Sequence, residues 1–241
     1  MSSLLLPRLR NRRIRARMQG KELHPLACAN LSALDQLDLN QKAQNLRYVV
    51  FDLETTGLNL SSDRVISTAA FQVVEGRIPL GHAFSSLVNP VRTIPASSIR
   101  IHGIVPSMLD QAPSFTEVFD QFLDFLGTDI LVGYHTRFDL HFLNVYMQQR
   151  FGFPLQNLVL DVQQMCRKLV FPPHLRYGSV RYSGNPDLDS MARHFGIEFY
   201  ERHTAVGDAL ATAMIFQHLL EEIGKRGPAL LRNLLAVGRI R

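Results

Sequence analysis

Cysteine is scarce in this 241-residue chain: only Cys28 and Cys166 occur, and they form no C-x-x-C pair. That excludes a disulfide scaffold and a clustered zinc site, and it points to a reducing compartment. No run approaches the ~20 apolar residues that a bilayer span requires, so no membrane contact is expected. Internal repeats and low-complexity tracts are absent as well, which leaves one globular domain of up to ~200 residues with appendages. Acidic residues are missing from both ends. Residues 1–21 hold seven basic side chains and no acid, and residues 225–241 hold five basic side chains and no acid. The intervening 22–224 carry 14 basic against 21 acidic residues, a balance of −7 inside a chain of net +5. An overall charge that suggests a nucleic-acid binder thus resolves into an acidic body with two basic ends.

The leucines at positions 4 to 6 precede the arginines, the reverse of a secretory signal, so export is not expected and a cytoplasmic location is. The arginine-rich segment reads as a solvated helical arm; its acid-poor composition is shared by transit peptides, the less favoured alternative. Residues 22–45 read as a helical connector. The expected plan is a basic arm and connector over 1–46, a catalytic domain over 47–224 and a basic tail over 225–241.

Within the domain, Tyr48 to Leu53 is an apolar, β-branched and aromatic run suited to a buried strand. Two further strands are expected over Val65–Val74 and Ile78–Val88, joined by a tight hairpin at Glu75-Gly76-Arg77. A proline-punctuated loop (Pro90, Pro95, Pro106, Pro113) leads to a helix over Phe115–Leu126. A strand at Ile130–Val132, a helix over Arg137–Gln149, a strand at Leu158–Leu160 and helices over Leu188–Phe195 and Ala205–Ile223 complete the pattern. Three strands followed by alternating helices and strands predict an α/β fold, a mixed sheet flanked by helices.

Carboxylates gather at the ends of these elements. Asp52 and Glu54, two apart on a strand, point to one face. At an effective dielectric of ~20, two like charges ~4 Å apart repel by about 4 kcal/mol, which a divalent cation with hard oxygen ligands relieves. Asp139 lies just inside a helix after a short strand, and Asp208 lies early in the last helix, five residues after His203. Singly, each reads equally as a first-turn acid on a helix dipole, as does Asp161. Together they sit where polar ligands gather at the carboxyl edge of a mixed sheet. There they form a constellation fit for two cations and a histidine that takes a proton from water.

Three motifs carry a family resemblance over roughly residues 47 to 222. Phe51-Asp52-Leu53-Glu54-Thr55-Thr56-Gly57-Leu58, Leu131 to Asp139 with Phe142-Leu143, and Arg202-His203-Thr204-Ala205-Val206-Gly207-Asp208-Ala209 resemble the three motifs of the 3′-5′ exonucleases with four acidic residues and a histidine. That family is typified by the proofreading (epsilon) subunit of bacterial DNA polymerase III. Leu87 to Pro90, with Ile94-Pro95 and Ile101-His102-Gly103-Ile104, is similar to its terminal-nucleotide loop. The resemblance implies a ribonuclease-H-like fold. It also implies two divalent cations, Mg2+ or Mn2+, one held by Asp52, Glu54 and Asp208 and the other by Asp52 and Asp139. His203 would be the general base, and Thr55, Thr56 and His102 would contact the last nucleotide. The chain departs from the family's usual residues at His135, where Asn is common, and at Ser67, where Glu is common. The segment Pro172 to Pro186, longer than the usual connector, interleaves Arg176, Tyr177, Arg181 and Tyr182. It reads as a grip on phosphates and bases or as a solvated loop.

The expected activity is hydrolysis of single-stranded or frayed DNA 3′ ends to nucleoside 5′-monophosphates, in proofreading with a DNA polymerase subunit as partner or in repair. The alternatives are an RNA 3′-end trimming enzyme, in which 2′-hydroxyl recognition dominates, and a non-catalytic end-binding module. The basic ends are expected to hold nucleic acid or a partner, and to be removable.

Overall fold

The computed structural model describes residues 4–171, 185–198 and 201–240. Along the chain come α1 (Leu5–Met18), α2 (Pro25–Ser32), β1 (Arg47–Thr55), β2 (Val65–Val74), β3 (Ala83–Leu87), α3 (Ala96–His102), α4 (Pro106–Leu109) and α5 (Phe115–Leu126). They are followed by β4 (Ile130–Gly133), α6 (Thr136–Phe151), β5 (Val159–Asp161), α7 (Val162–Leu169), α8 (Leu188–His194), α9 (Ala205–Lys225) and α10 (Leu231–Gly238). The strands form one sheet in the order β3-β2-β1-β4-β5. β2 is antiparallel to β1 and β3, whereas β1, β4 and β5 are parallel, so the carboxyl ends of these three share one edge. The expected mixed sheet flanked by helices is the one observed.

β1 explains the layering. Tyr48 and Val50 belong to a core formed with α7, α8, α9 and α10, while Val49, Phe51 and Leu53 belong to a second core formed with α1, α2, α5 and α6. Alternate residues of a strand point to opposite faces, so each side of the sheet is covered by its own helical layer. Tyr48 shows how the polar tip of a buried ring is satisfied. Its hydroxyl donates to the Ala43 carbonyl at 2.8 Å while the ring stacks edge-on against Phe216 at 4.8 Å.

Three features differ from the sequence reading, and one part of that reading lies outside the described residues. The third strand is shorter than Ile78–Val88: after the hairpin, in which Glu75 and Gly76 both take positive φ, the chain turns again at Pro79 to His82 before β3 begins. The proline-punctuated loop contains α3 and α4, because Pro95 caps one and Pro106 occupies the first turn of the other, positions where a missing N–H costs nothing. The segment Arg176 to Tyr182 lies outside the described residues.

The third difference concerns the basic ends. α1 is not a solvated arm: Leu4, Asn11, Ile14 and Met18 recur on one face and are buried, and Asn11 donates to the Leu31 carbonyl at 3.1 Å. Its arginines face outward or reach back to main-chain carbonyls, as Arg8 does to Leu34 at 3.2 Å. α10 is likewise packed, with Leu231, Leu234 and Leu235 buried. The two ends also hold each other. Ala43 N–H donates to Ala229 O at 2.7 Å, Leu231 N–H to Gln41 O at 3.0 Å and Arg232 N–H to Leu39 O at 3.0 Å. These segments are therefore structural, which corrects the view that they are removable. Among the described residues no helix is long and apolar enough to cross a membrane.

Candidate active site

β1 delivers Asp52 and Glu54, half-buried, on the same face as Tyr48 and Val50. The strand ends in an irregularity. Glu54 pairs with Ser67, but Thr55 pairs with Val65, so Ile66 is the extra residue of a β-bulge beside the carboxylates. Ser67, directly across from Glu54, is a small neutral side chain on the same face. A Glu there would set another carboxylate against Glu54.

The turn after β1 is rigid. The Thr56 hydroxyl donates to Asp63 Oδ1 at 2.8 Å and Asn59 N–H donates to Asp63 Oδ2 at 2.8 Å. A Cβ on Gly57 would lie 2.6 Å from Asp63 Oδ2, so only glycine lets the buried carboxylate approach. The Thr55 hydroxyl donates to the Gly57 carbonyl at 2.7 Å. Both threonine side chains are thus engaged in holding the turn. His102, at the end of α3, is buried; its Nδ1 accepts from Ile104 N–H at 3.0 Å and its Nε2 has no hydrogen-bond partner among the described residues.

Asp139 sits in the buried first turn of α6. That turn is fixed from β5: Asp161 Oδ2 accepts from the Thr136 N–H at 3.0 Å and hydroxyl at 2.9 Å, and its Oδ1 caps α7 through Gln164 N–H at 3.0 Å. Asp161 is a helix cap that braces Asp139. His135, before α6, adopts a left-handed backbone with φ 54° and places Nε2 3.0 Å from Gln163 Nε2.

Asp208 enters from the first turn of α9. Thr204 caps this helix, accepting from Gly207 N–H at 3.0 Å and donating to the Glu201 carbonyl at 2.9 Å. His203 is exposed, in a left-handed conformation with φ 59°. The loop folds so tightly that a Cβ on Gly207 would lie 1.9 Å from the Glu201 oxygen.

One oxygen each of Asp52, Glu54 and Asp208 lie within 4.8 Å of one another. Burial, then the neighbouring carboxylates of Asp139, Glu54 and Asp208, push Asp52 well above the usual carboxylate range. Burial and then Asp208 push Glu54 up to about 8. Asp139 is raised by burial and by Glu54 and Asp161. Burial raises Asp208 too, but Arg202 and His203 work against it. Arg202, to which the sequence reading gave no role, grips both Asp208 oxygens at 2.5 and 2.6 Å and Asp189 at 2.6 Å. Its position next to His203 was the available signal. Clustered hard oxygen donors with excess negative charge fit a magnesium-like cation.

Residues 49–216 match the family model RNase_T, described as Exonuclease. The chain is 38% identical over 176 residues to the DNA polymerase III subunit epsilon of Aquifex aeolicus, covering 73% of this chain and 81% of that protein. It is 37% identical over 199 residues to a DNA polymerase III subunit epsilon-like protein of Rhodobacter capsulatus, covering 81% of this chain but only 26% of that longer protein. Among solved structures, Exonuclease X in complex with 5′ overhanging duplex DNA superposes with a TM-score of 0.56 at 19% identity, over 79% of this chain and 99% of that one. The matched region contains the sheet and the clustered carboxylates, and the chain belongs to the exonuclease family, as an epsilon-like 3′-5′ exonuclease on a ribonuclease-H-like fold.

Proposed function

We propose that the protein removes nucleotides from DNA 3′ ends, with Asp52, Glu54, Asp139 and Asp208 as the ligands of two divalent cations and His203 as the general base. The observation that carries this reading is the convergence of Asp52, Glu54 and Asp208 at the carboxyl edge of β1, with ligand oxygens within 4.8 Å of one another. Divalent cations held there would supply Lewis acidity, easing deprotonation of water and offsetting charge on the phosphate. The carboxylates orient that chemistry. His203, exposed beside Asp208, is placed to accept a proton and pass it to solvent. Arg202 steadies Asp208, and Asp161 holds the first turn of α6 so that Asp139 keeps its direction.

DNA is favoured by the epsilon-type relatives and by the Exonuclease X neighbour, whose 5′-overhanging duplex carries a recessed 3′ end. The same relatives support a polymerase subunit as partner. The test is a 5′-labelled single strand incubated with Mg2+ or Mn2+. Stepwise shortening from the 3′ end is expected, with nucleoside 5′-monophosphate released, and Asp52→Asn and His203→Ala should lower kcat about 100-fold or more. An intact strand, or equal activity of Asp52→Asn, would overturn the proposal. Faster digestion of a matched RNA would reassign the substrate.

A further inference from the structure

A cleft of about 570 Å³ lies where α1, α6, the start of β5 and the C-terminal segment meet. One face of α6 forms a wall through Arg137, His141 and Asn144, spaced as same-face helical neighbours. Arg10 contributes from α1 and Arg239 from beyond α10, whose main chain bridges to Leu160 on β5. Three guanidiniums and an imidazole line this cleft, and no Asp or Glu does among the described residues. Arg10 is exposed and has no hydrogen-bond or ion-pair partner among the described residues. Arg13 and Arg17 continue its stripe along α1 at three- and four-residue spacing, also exposed.

Arg10 and Arg239 lie outside the residues 49–216 matched to the family, so the cleft exists because both basic ends pack onto the domain. Arg137 is two residues before Asp139, about 200° round the helix. One helix thus presents a metal-site carboxylate on one face and the cationic wall on another, and its first turn is the rim between them. Residues 22–224 carry a net balance of −7, whereas the charged side chains that line this cleft are cationic, Arg137 and Arg239 each with an interaction partner and Arg10 with none among the described residues.

We propose that this cleft is a second phosphate-backbone site, which holds the nucleic-acid strand away from the scissile end and gives the enzyme its grip on long substrates. The proposal rests on the exonuclease reading above, and two substrates separate them. One is the p-nitrophenyl ester of thymidine 5′-monophosphate, too small to span both sites. The other is a 5′-fluorescein oligothymidylate of about 20 nucleotides, whose binding is followed by anisotropy in chelator at several salt concentrations.

For Arg10→Ala/Arg239→Ala, strand affinity should fall about threefold or more, and the slope of log affinity on log salt should shrink by about 0.7 per lost phosphate contact. Hydrolysis of the small ester should stay unchanged, and the corresponding double lysine variant should recover strand binding. Unchanged affinity and slope would overturn the cleft, as would loss of ester hydrolysis in step with binding, or an acidic peptide binding at the cleft where the strand does not. A wild-type protein that hydrolyses neither the ester nor the oligothymidylate when Mg2+ or Mn2+ is supplied would instead overturn the exonuclease reading.

Discussion

Gly207 carries more of the site's geometry than its lack of a side chain suggests. A methyl group there favours a helix by about 1 kcal/mol, yet it would stand 1.9 Å from the Glu201 oxygen, a separation no real contact tolerates. The clash wins, and the loop carrying Arg202 and His203 must move relative to Asp208. Gly207→Ala is therefore expected to retain a helical circular dichroism spectrum while kcat falls about 100-fold, the scale of an ångström-sized misplacement. Unchanged kcat would show that the loop yields without cost. Arg202 is the matching case in electrostatics. Its two-oxygen hold on Asp208 supplies positive charge on one side of the acid cluster, and it spans to Asp189 on α8, so the third motif and α8 are joined through a single side chain. That Asp52, Glu54 and Asp208 come together was readable because the residue types and spacings of their motifs are specific in combination. Asp161 read as an acid at a helix start, which its cap on α7 bears out, but its hold on Thr136 and the hold of Arg202 on Asp208 were not readable, because each acts through a partner that only the folded chain brings near.

At the scale of elements, legibility followed periodicity. β1, α5 and the last long helix were readable from apolar pattern, and α5 carries a capping box in which Ser114 and Glu117 satisfy each other's main-chain N–H groups. α1 was misread because its buried positions, Leu4, Asn11, Ile14 and Met18, are sparse, include an amide, and stand among arginines whose number dominates any composition count. The physical consequence is measurable. Ile14 joins the core that contains Leu31, Phe119 and Tyr146. Ile14→Ala should lower the unfolding free energy by about 2 to 4 kcal/mol in urea while leaving a single transition. A solvated arm would leave the midpoint unmoved. α3 and α4 escaped the sequence reading for the opposite reason: prolines read as loop punctuation instead serve as helix starts.

At the scale of the molecule, the body is an acidic domain whose most strained charges are concentrated at one sheet edge. The sign of the pH dependence follows from Glu54. Its carboxyl titrates near 4.5 when free and near 8 when folded, so between those values the folded state keeps a proton that the unfolded state has released. Stability from this group is present at low pH and lost as pH rises towards about 8. In excess chelator the melting temperature should decline across that window, less steeply in Glu54→Gln. Added Mg2+ should raise it more at the alkaline end than at the acidic end, because at the acidic end it competes with protons. A flat profile, or equal rescue at both ends, would remove the cost of ionising these buried, mutually repelling carboxylates as a reason for a cation there.

The hydrogen bonds between residues 39–43 and 229–232 couple parts of the chain almost two hundred positions apart, reinforced by Arg232 Nη1 on Asn40 Oδ1 at 2.6 Å. A ribosome delivers the first of these segments long before the second. Until the last helix emerges, the stretch leading into β1 has no partner for those amides and carbonyls, however complete the sheet behind it. The clasp therefore forms after the sheet is laid down: the segments that bring Arg10 and Arg239 to one cleft close late, and the carboxylates are in place before that closure.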